Sequence, residues 1–197
     1  MDGVRKHNMN LSQLSLFAPS ALAPEGLEYC PEFVTPAEER TLIAHLAQLE
    51  LEPFQFGAYE GTRRLASFGH AYDFSRQRLE AAAAPPSWIG PYISRVERSR
   101  FAGNGKIAQV LITHYRPGAG IGWHRDKKPF DLIFGLSLGA TCPLRFRRKI
   151  GSRWERFTLP VEPCSLYVIS GEARSLWEHS IAPITEARYS ITFRTLA

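Results

Sequence analysis

The sequence predicts an α+β chain, mainly β, with helices ahead of a sandwich or jelly roll. Three observations predict it. Apolar residues recur at helical spacing only in the first half. From Ile107 onward the period falls to two. The strand-like stretches there are short and bounded by Gly and Pro, with no helix of any length between them.

The 197 residues suffice for one domain with a substantial core and are too few for two ordinary ones. The first segment, residues 1–24, reads as an N-terminal arm, and 25–197 as a single domain, with helical support and a lid in 25–105 and a β core in 106–197. Thr35-Pro36-Ala37-Glu38 opens the first helix: Thr35 suits the N-cap, Pro36 the first helical position, and Glu38 completes a capping box. Leu42, Leu46 and Leu49 then share a face, joined by Ile43. A second helix follows Ser87, with Ile89, Ile93 and Val96 at three- and four-residue spacing. Between the helices, Arg63 to Phe74 mixes aromatic and basic residues, as a hairpin or lid does.

In the β half, Leu132, Phe134, Leu136 and Leu138 alternate with Ile133, Gly135 and Ser137. Leu144 and Phe146 alternate with Arg145 and Arg147. The last strand puts Tyr189, Ile191 and Phe193 on one face and Arg188, Ser190, Thr192 and Arg194 on the other.

Composition narrows the function. Apolar content of 44% and aromatic content of 12% describe a globular chain. Cys30, Cys142 and Cys164 form an odd set without a C-x-x-C pair, which implies neither a disulfide framework nor a zinc ribbon and fits a reducing, cytoplasmic setting. No apolar run is long enough to span a membrane. A net charge of +5 suits an anionic partner such as nucleic acid. Arg145, Arg147, Arg148, Lys149 and Arg153 cluster around a hairpin near Gly151, either tracking a phosphate backbone or forming a solvated turn.

The chemistry lies in His124-Arg125-Asp126. On an extended chain, residues two apart point the same way, so His124 and Asp126 can meet one ion while Arg125 turns aside. His179, in Trp177-Glu178-His179-Ser180, is the best third ligand. Two imidazoles and one carboxylate on one octahedral face form the facial triad of non-haem iron oxygenases. A protein-kinase reading of His-Arg-Asp fails, because Phe130-Asp131 stands where its Asn is needed and no Gly-rich phosphate loop is present. Trp123 and Trp177 adjoin two ligands and belong either to the pocket wall or to core packing. If both faces of the last strand are covered, Arg188 and Arg194 turn inward and require an anion. A 2-keto dicarboxylate, 2-oxoglutarate, answers the guanidiniums and the open metal positions together.

The stretch Leu111-Ile112-Thr113-His114-Tyr115-Arg116-Pro117-Gly118-Ala119, with His124-Arg125-Asp126, His179 and Arg188-Tyr189-Ser190-Ile191-Thr192-Phe193-Arg194, resembles the AlkB family of dioxygenases. The resemblance implies a double-stranded β-helix (jelly roll) core with N-terminal supporting helices. It implies iron(II) on His124, Asp126 and His179, with 2-oxoglutarate and O2 as co-substrates. Arg188, helped by Tyr115, would bind the distal carboxylate; Arg194 would lie nearer the chelating one, with Thr113 and Ser190 alongside. Arg63 to Phe74 resembles part of a nucleotide-recognition lid, making Arg63, Arg64, Phe68 and Tyr72 candidate substrate contacts, with Lys128 a further candidate and hairpin core the alternative for Phe68 and Tyr72. The pattern departs from DNA-repair members at three places: Thr113 and Ser190 stand for Asn, and Lys128 replaces an acidic residue that contacts the damaged base. The expected activity is oxidative dealkylation of alkylated DNA or RNA bases by a monomer. A 2-oxoglutarate oxygenase acting on protein or a small molecule is the alternative, and a non-catalytic metal-holding module a third.

Overall fold

The computed structural model describes residues 22–56, 59–73 and 76–197, so nearly all of the expected arm, and Phe74 of the lid, lie outside the described residues. Thr35 caps α1 (Pro36–Leu46) as its sequence requires: its Oγ1 accepts from the Glu38 amide at 3.2 Å, while Glu38 accepts from the Thr35 amide at 2.8 Å. The same Glu38 carboxylate accepts from Arg95 of α2 (Gly90–Glu97), which follows a 3-10 turn at Ser87–Ile89. One side chain therefore caps α1 and ties it to α2. Glu39 then accepts from the Gly139 amide at 2.8 Å, fixing α1 against the sheet.

Thirteen strands among the described residues follow chain order as β1 (Leu27–Cys30), β2 (Glu52–Phe56), β3 (Tyr59–Phe68), β4 (His70–Asp73), β5 (Arg78–Ala81), β6 (Ile107–Tyr115), β7 (Ile121–His124), β8 (Phe130–Gly139), β9 (Cys142–Ile150), β10 (Arg153–Val161), β11 (Leu166–Ile169), β12 (Glu178–Ile181) and β13 (Arg188–Leu196). A seven-stranded sheet runs β1-β11-β8-β13-β6-β3-β2, a four-stranded sheet β10-β9-β12-β7, and β4 pairs β5 apart from both. The region before residue 106 is thus less helical than expected, since it contributes β1, β2 and β3 to the larger sheet. A short helix, α3 (Gly171–Ser175), interrupts the β half between β11 and β12.

Two cores flank the large sheet. Helices α1 and α2, with the 3-10 turn before α2, bury Leu42, Leu46, Val96 and Ile89 against one face, with Ile112, Phe134, Leu136, Ile191 and Phe193. Each such side chain contributes about 1.5–3 kcal/mol. The other core lies between the sheets and contains Tyr115, Leu144, Phe146, Leu159, Tyr167, Trp177 and Ile181. The decisive placement is that of β13. It sits in the middle of the large sheet, between β8 and β6, with cores on both sides. Its polar face is therefore interior, and Arg188 is only 1% exposed.

Candidate metal centre and cosubstrate pocket

Strands β7 and β12 pair antiparallel with His179 directly opposite His124. Opposed residues share a face, so the two imidazoles point together into the space between the sheets. Asp126 follows two residues after the end of β7, and ligand atoms of His124, Asp126 and His179 all lie within 4.8 Å of one another. His124 Nδ1 is 2.8 Å from the Gly122 carbonyl oxygen. A carbonyl only accepts, so Nδ1 carries the proton and Nε2 keeps its lone pair for a metal. His179 is buried, which, with His124 beside it, pushes its pKa down to about 3 and keeps it neutral.

Asp126 is held differently. Burial alone would raise its pKa, but Arg194, followed by the two imidazoles, outweighs burial and holds the carboxyl well below the usual range. Arg194 Nη2 donates to Asp126 Oδ1 at 2.5 Å, and its Nη1 donates to Gln109 Oε1 at 2.7 Å. Gln109 Nε2 in turn donates to the His70 carbonyl at 2.8 Å, so the ligand is linked through β13 and β6 to the β4–β5 hairpin. The loop after Asp126 is braced by Arg174, whose Nη2 donates to the carbonyls of Lys127 and Phe130.

The pocket in front of the triad is lined by Arg63, Thr113, Tyr115, Tyr167, Ser190 and Arg194 among others. The β13–β6 register builds one wall of it, with Ser190 opposite Thr113, and sets Arg188, which does not itself line the pocket, opposite the lining residue Tyr115. Arg188 lies 5.3 Å from the Tyr115 ring centroid, and its Nε donates to Ser137 Oγ at 3.1 Å. Its Nη1 and Nη2 are buried without a hydrogen-bond partner among the described residues. A buried cation with both terminal nitrogens unanswered is unstable on its own. Its planar fork matches a carboxylate. The two arginines thus differ, since Arg194 is already engaged by Asp126.

The lid residues divide. Arg63 enters the pocket, 4.2 Å over the Phe54 ring and beside Tyr115, and burial lowers its pKa. Arg64, its neighbour on β3, pairs opposite His114 and does not line the pocket. Phe68 packs against the core under α1 and α2, which favours the hairpin-core alternative over substrate contact. Tyr72 does not line the pocket either; its ring centroid is 5.2 Å from Lys127 Nζ. Lys128 is exposed and does not line the pocket. Of the tryptophans, Trp177 is core at 2% exposure, and Trp123 turns to the outer face of the small sheet beneath Arg145 and Arg147.

Sequence reasoning missed Gln109, Ser137, Arg174 and Tyr167. Only Tyr167 left a signal. Its ring lies across Gly135, where any Cβ would overlap it. A lone glycine inside a strand marks such a close approach.

A jelly roll that gathers two neutral imidazoles and an ionised aspartate beside a pocket lined by Arg63 and Arg194 defines a metal-dependent oxygenase. The chain belongs to the 2OG-Fe(II) oxygenase superfamily, whose profile matches residues 26–194. Several of its relatives carry AlkB-family names. It is 31% identical over 191 residues to the Arabidopsis thaliana protein named "Alkylated DNA repair protein ALKBH8 homolog", covering 82% of this chain and 52% of that one. It is 29% identical over 168 residues to the Xenopus tropicalis protein named "tRNA (carboxymethyluridine(34)-5-O)-methyltransferase alkbh8", covering 81% of this chain and 26% of that one. The chain therefore spans about half or less of these relatives. The solved structure of OsALKBH1 shares the fold, with a TM-score of 0.65 at 14% identity over 89% of this chain and 99% of that one. As a member of this superfamily the protein is a dioxygenase that uses Fe(II), 2-oxoglutarate and O2.

Proposed function

We propose that this dioxygenase oxidatively dealkylates bases in nucleic acid, consuming 2-oxoglutarate and O2 and releasing succinate, carbon dioxide and, from an N-methyl group, formaldehyde. The observation that supports the substrate class is a pair of cation–aromatic contacts beside the triad. Arg63, which lines the pocket, sits over Phe54, and Lys127, next to Asp126 in the chain, sits over Tyr72. Such pairs suit a planar, anion-borne group. The relatives' names point the same way, to alkylated DNA in one and to a tRNA uridine in another.

His124, Asp126 and His179 would hold the iron. When bound, iron(II) supplies the activation of O2 and the oxidation of a carbon–hydrogen bond. The protein's own residues prepare the ground. Arg194 keeps Asp126 ionised and oriented, and the Gly122 carbonyl fixes the His124 tautomer. Arg188, with Ser137 holding its Nε, presents two free nitrogens to the distal carboxylate of 2-oxoglutarate, while Tyr115, Thr113 and Ser190 shape the channel. Arg63 orients the substrate above the metal.

Incubating the protein with iron(II), 2-oxoglutarate and methylated DNA or RNA oligonucleotides should release formaldehyde in proportion to succinate, and His124→Ala should abolish both. Succinate without any oligonucleotide-dependent formaldehyde would leave the oxygenase standing and overturn the nucleic-acid substrate.

A further inference from the structure

The small sheet has two faces of opposite character. Its inner face carries His124, His179, Phe146, Leu144 and Leu159. Strand alternation puts Trp123, Glu178, Arg145, Arg147, Trp154 and Arg156 on the outer face. There Arg147 is clasped between two indoles, its guanidinium carbon 4.4 Å from the ring centroids of both Trp123 and Trp154. Its Nε donates to Glu178 at 2.7 Å, so the stack is fixed and its charge balanced. Arg145 extends the stack, 5.2 Å from the Trp123 centroid.

The rest of the face is not balanced. Arg145, Lys149 and Arg156 form no ion pair among the described residues. Arg148 differs: it lies on the opposite face from Arg147 and pairs with Glu155 and Glu172. The hairpin register sets Arg156 directly opposite Arg147. Like charges opposed across a ladder destabilise a hairpin, and with Arg147 answered by Glu178 the charge left uncompensated is that of Arg156, which an external anion can neutralise. Trp154 remains 39% exposed beside this charge, and an exposed indole within a basic strip accepts a base by stacking.

We propose that this outer face binds single-stranded nucleic acid, with a base on Trp154 and phosphates on Arg145, Lys149 and Arg156. The proposal rests on the nucleic-acid reading above and adds a surface separated from the metal pocket by the thickness of the small sheet. A single strand is the fitting partner, because a paired base has no free face to offer an indole. DNA and RNA share this chemistry.

The test uses the full chain and fluorescein-labelled oligonucleotides of one sequence, as DNA and as RNA, read by anisotropy across a salt series. Trp154→Ala should weaken binding by about tenfold or more. Arg156→Ala should lower the magnitude of the log–log salt slope by about 0.7. Both variants should keep the wild-type rate of succinate formation in the absence of oligonucleotide. Loss of affinity for only one sugar type assigns the face to that nucleic acid. Unchanged affinity in the double variant, with the wild type binding normally, overturns this surface and spares the proposed activity. Polyglutamate displacing the oligonucleotide as well as unlabelled oligonucleotide does would reduce the face to a plain cationic patch and overturn it too. Absence of any oligonucleotide binding or formaldehyde release by the wild type would remove both readings together.

Discussion

Replacing Arg188 with methionine separates binding from folding, because the two should move in opposite directions. In the folded chain the Arg188 guanidinium is buried, with one nitrogen on Ser137 and two without partners among the described residues. Removing the charge while keeping the apolar stem relieves an uncompensated burial, and such replacements are neutral or stabilising by about 1–4 kcal/mol. Losing the single bond to Ser137 offsets about 1 kcal/mol of that. The melting temperature without cosubstrate should therefore hold steady or rise by a few degrees, at about 2–4 °C per kcal/mol for a chain of this size. Binding should behave otherwise. Truncating one partner of a buried charge pair costs about 2–5 kcal/mol, which raises the KM for 2-oxoglutarate about 30-fold to several thousand-fold. The assay is differential scanning fluorimetry with iron(II), without oxygen, over a 2-oxoglutarate titration, beside succinate kinetics. Wild type at a hundred times its Kd should gain about 2.7 kcal/mol, and the variant almost nothing at the same concentration. A variant that melts well below wild type yet keeps the full 2-oxoglutarate shift would refute the reasoning, since Arg188 would then be a structural cation satisfied by the fold.

Three further perturbations follow from single contacts. Arg63→Met should raise the KM for oligonucleotide about tenfold or more through the lost charge-assisted bonds while leaving 2-oxoglutarate-driven thermal stabilisation intact; loss of that stabilisation would place Arg63 on the cosubstrate instead. Gly135→Ala should cost at least about 1–3 kcal/mol in urea unfolding, because the new Cβ collides with the Tyr167 ring; an unchanged midpoint would show that the ring moves aside freely. Glu38 has its pKa lowered to about 2, first by the Arg95 hydrogen bond and then by the Thr35 amide. A carboxyl depressed when folded stabilises above its unfolded pKa, near 4.5, and loses that contribution as pH falls toward 2. Glu38→Gln should thus flatten the stability–pH curve across that window, by roughly 1 kcal/mol or less because solvent screens the pair; a curve parallel to wild type would sink the assignment.

The parts of the site that were legible in the sequence are those that local geometry dictates. His124 and Asp126 could be paired because two-residue spacing on an extended chain is independent of the rest of the fold. The α1 cap was legible for the same reason, since Thr35 and Glu38 satisfy each other within one turn. Less local features were not legible. Arg188 and Arg194 alternate identically whether β13 is an edge strand facing water or a central strand facing a core, and only its place between β8 and β6 decides the matter. The early strands are not legible because β5 is short and carries Arg78 and Glu80, while β2 offers only Phe54 and Phe56 in alternation, beside a Pro53 that reads as a strand breaker. The basic run on β9 reads as one cluster along the sequence, yet its period of two separates Arg147 from Arg148, and the structure gives them different partners, Glu178 for one and Glu155 with Glu172 for the other.

The hydrogen-bond chain through Asp126, Arg194, Gln109 and His70 shows why a correct ligand set still understates the site. Each bond joins strands or loops distant in the sequence, so none is visible until the β13–β6 register is set. That register is fixed by the apolar faces, not by the polar residues: Ile191 opposite Ile112 and Phe193 opposite Val110 belong to the core beneath the helices. A one-residue slip would send those side chains between the two sheets and turn Arg188 and Arg194 toward the helices. The packing of α1 and α2 on the far side of the sheet therefore determines which carboxylate Arg194 meets, and through it the orientation of the aspartate offered to the metal.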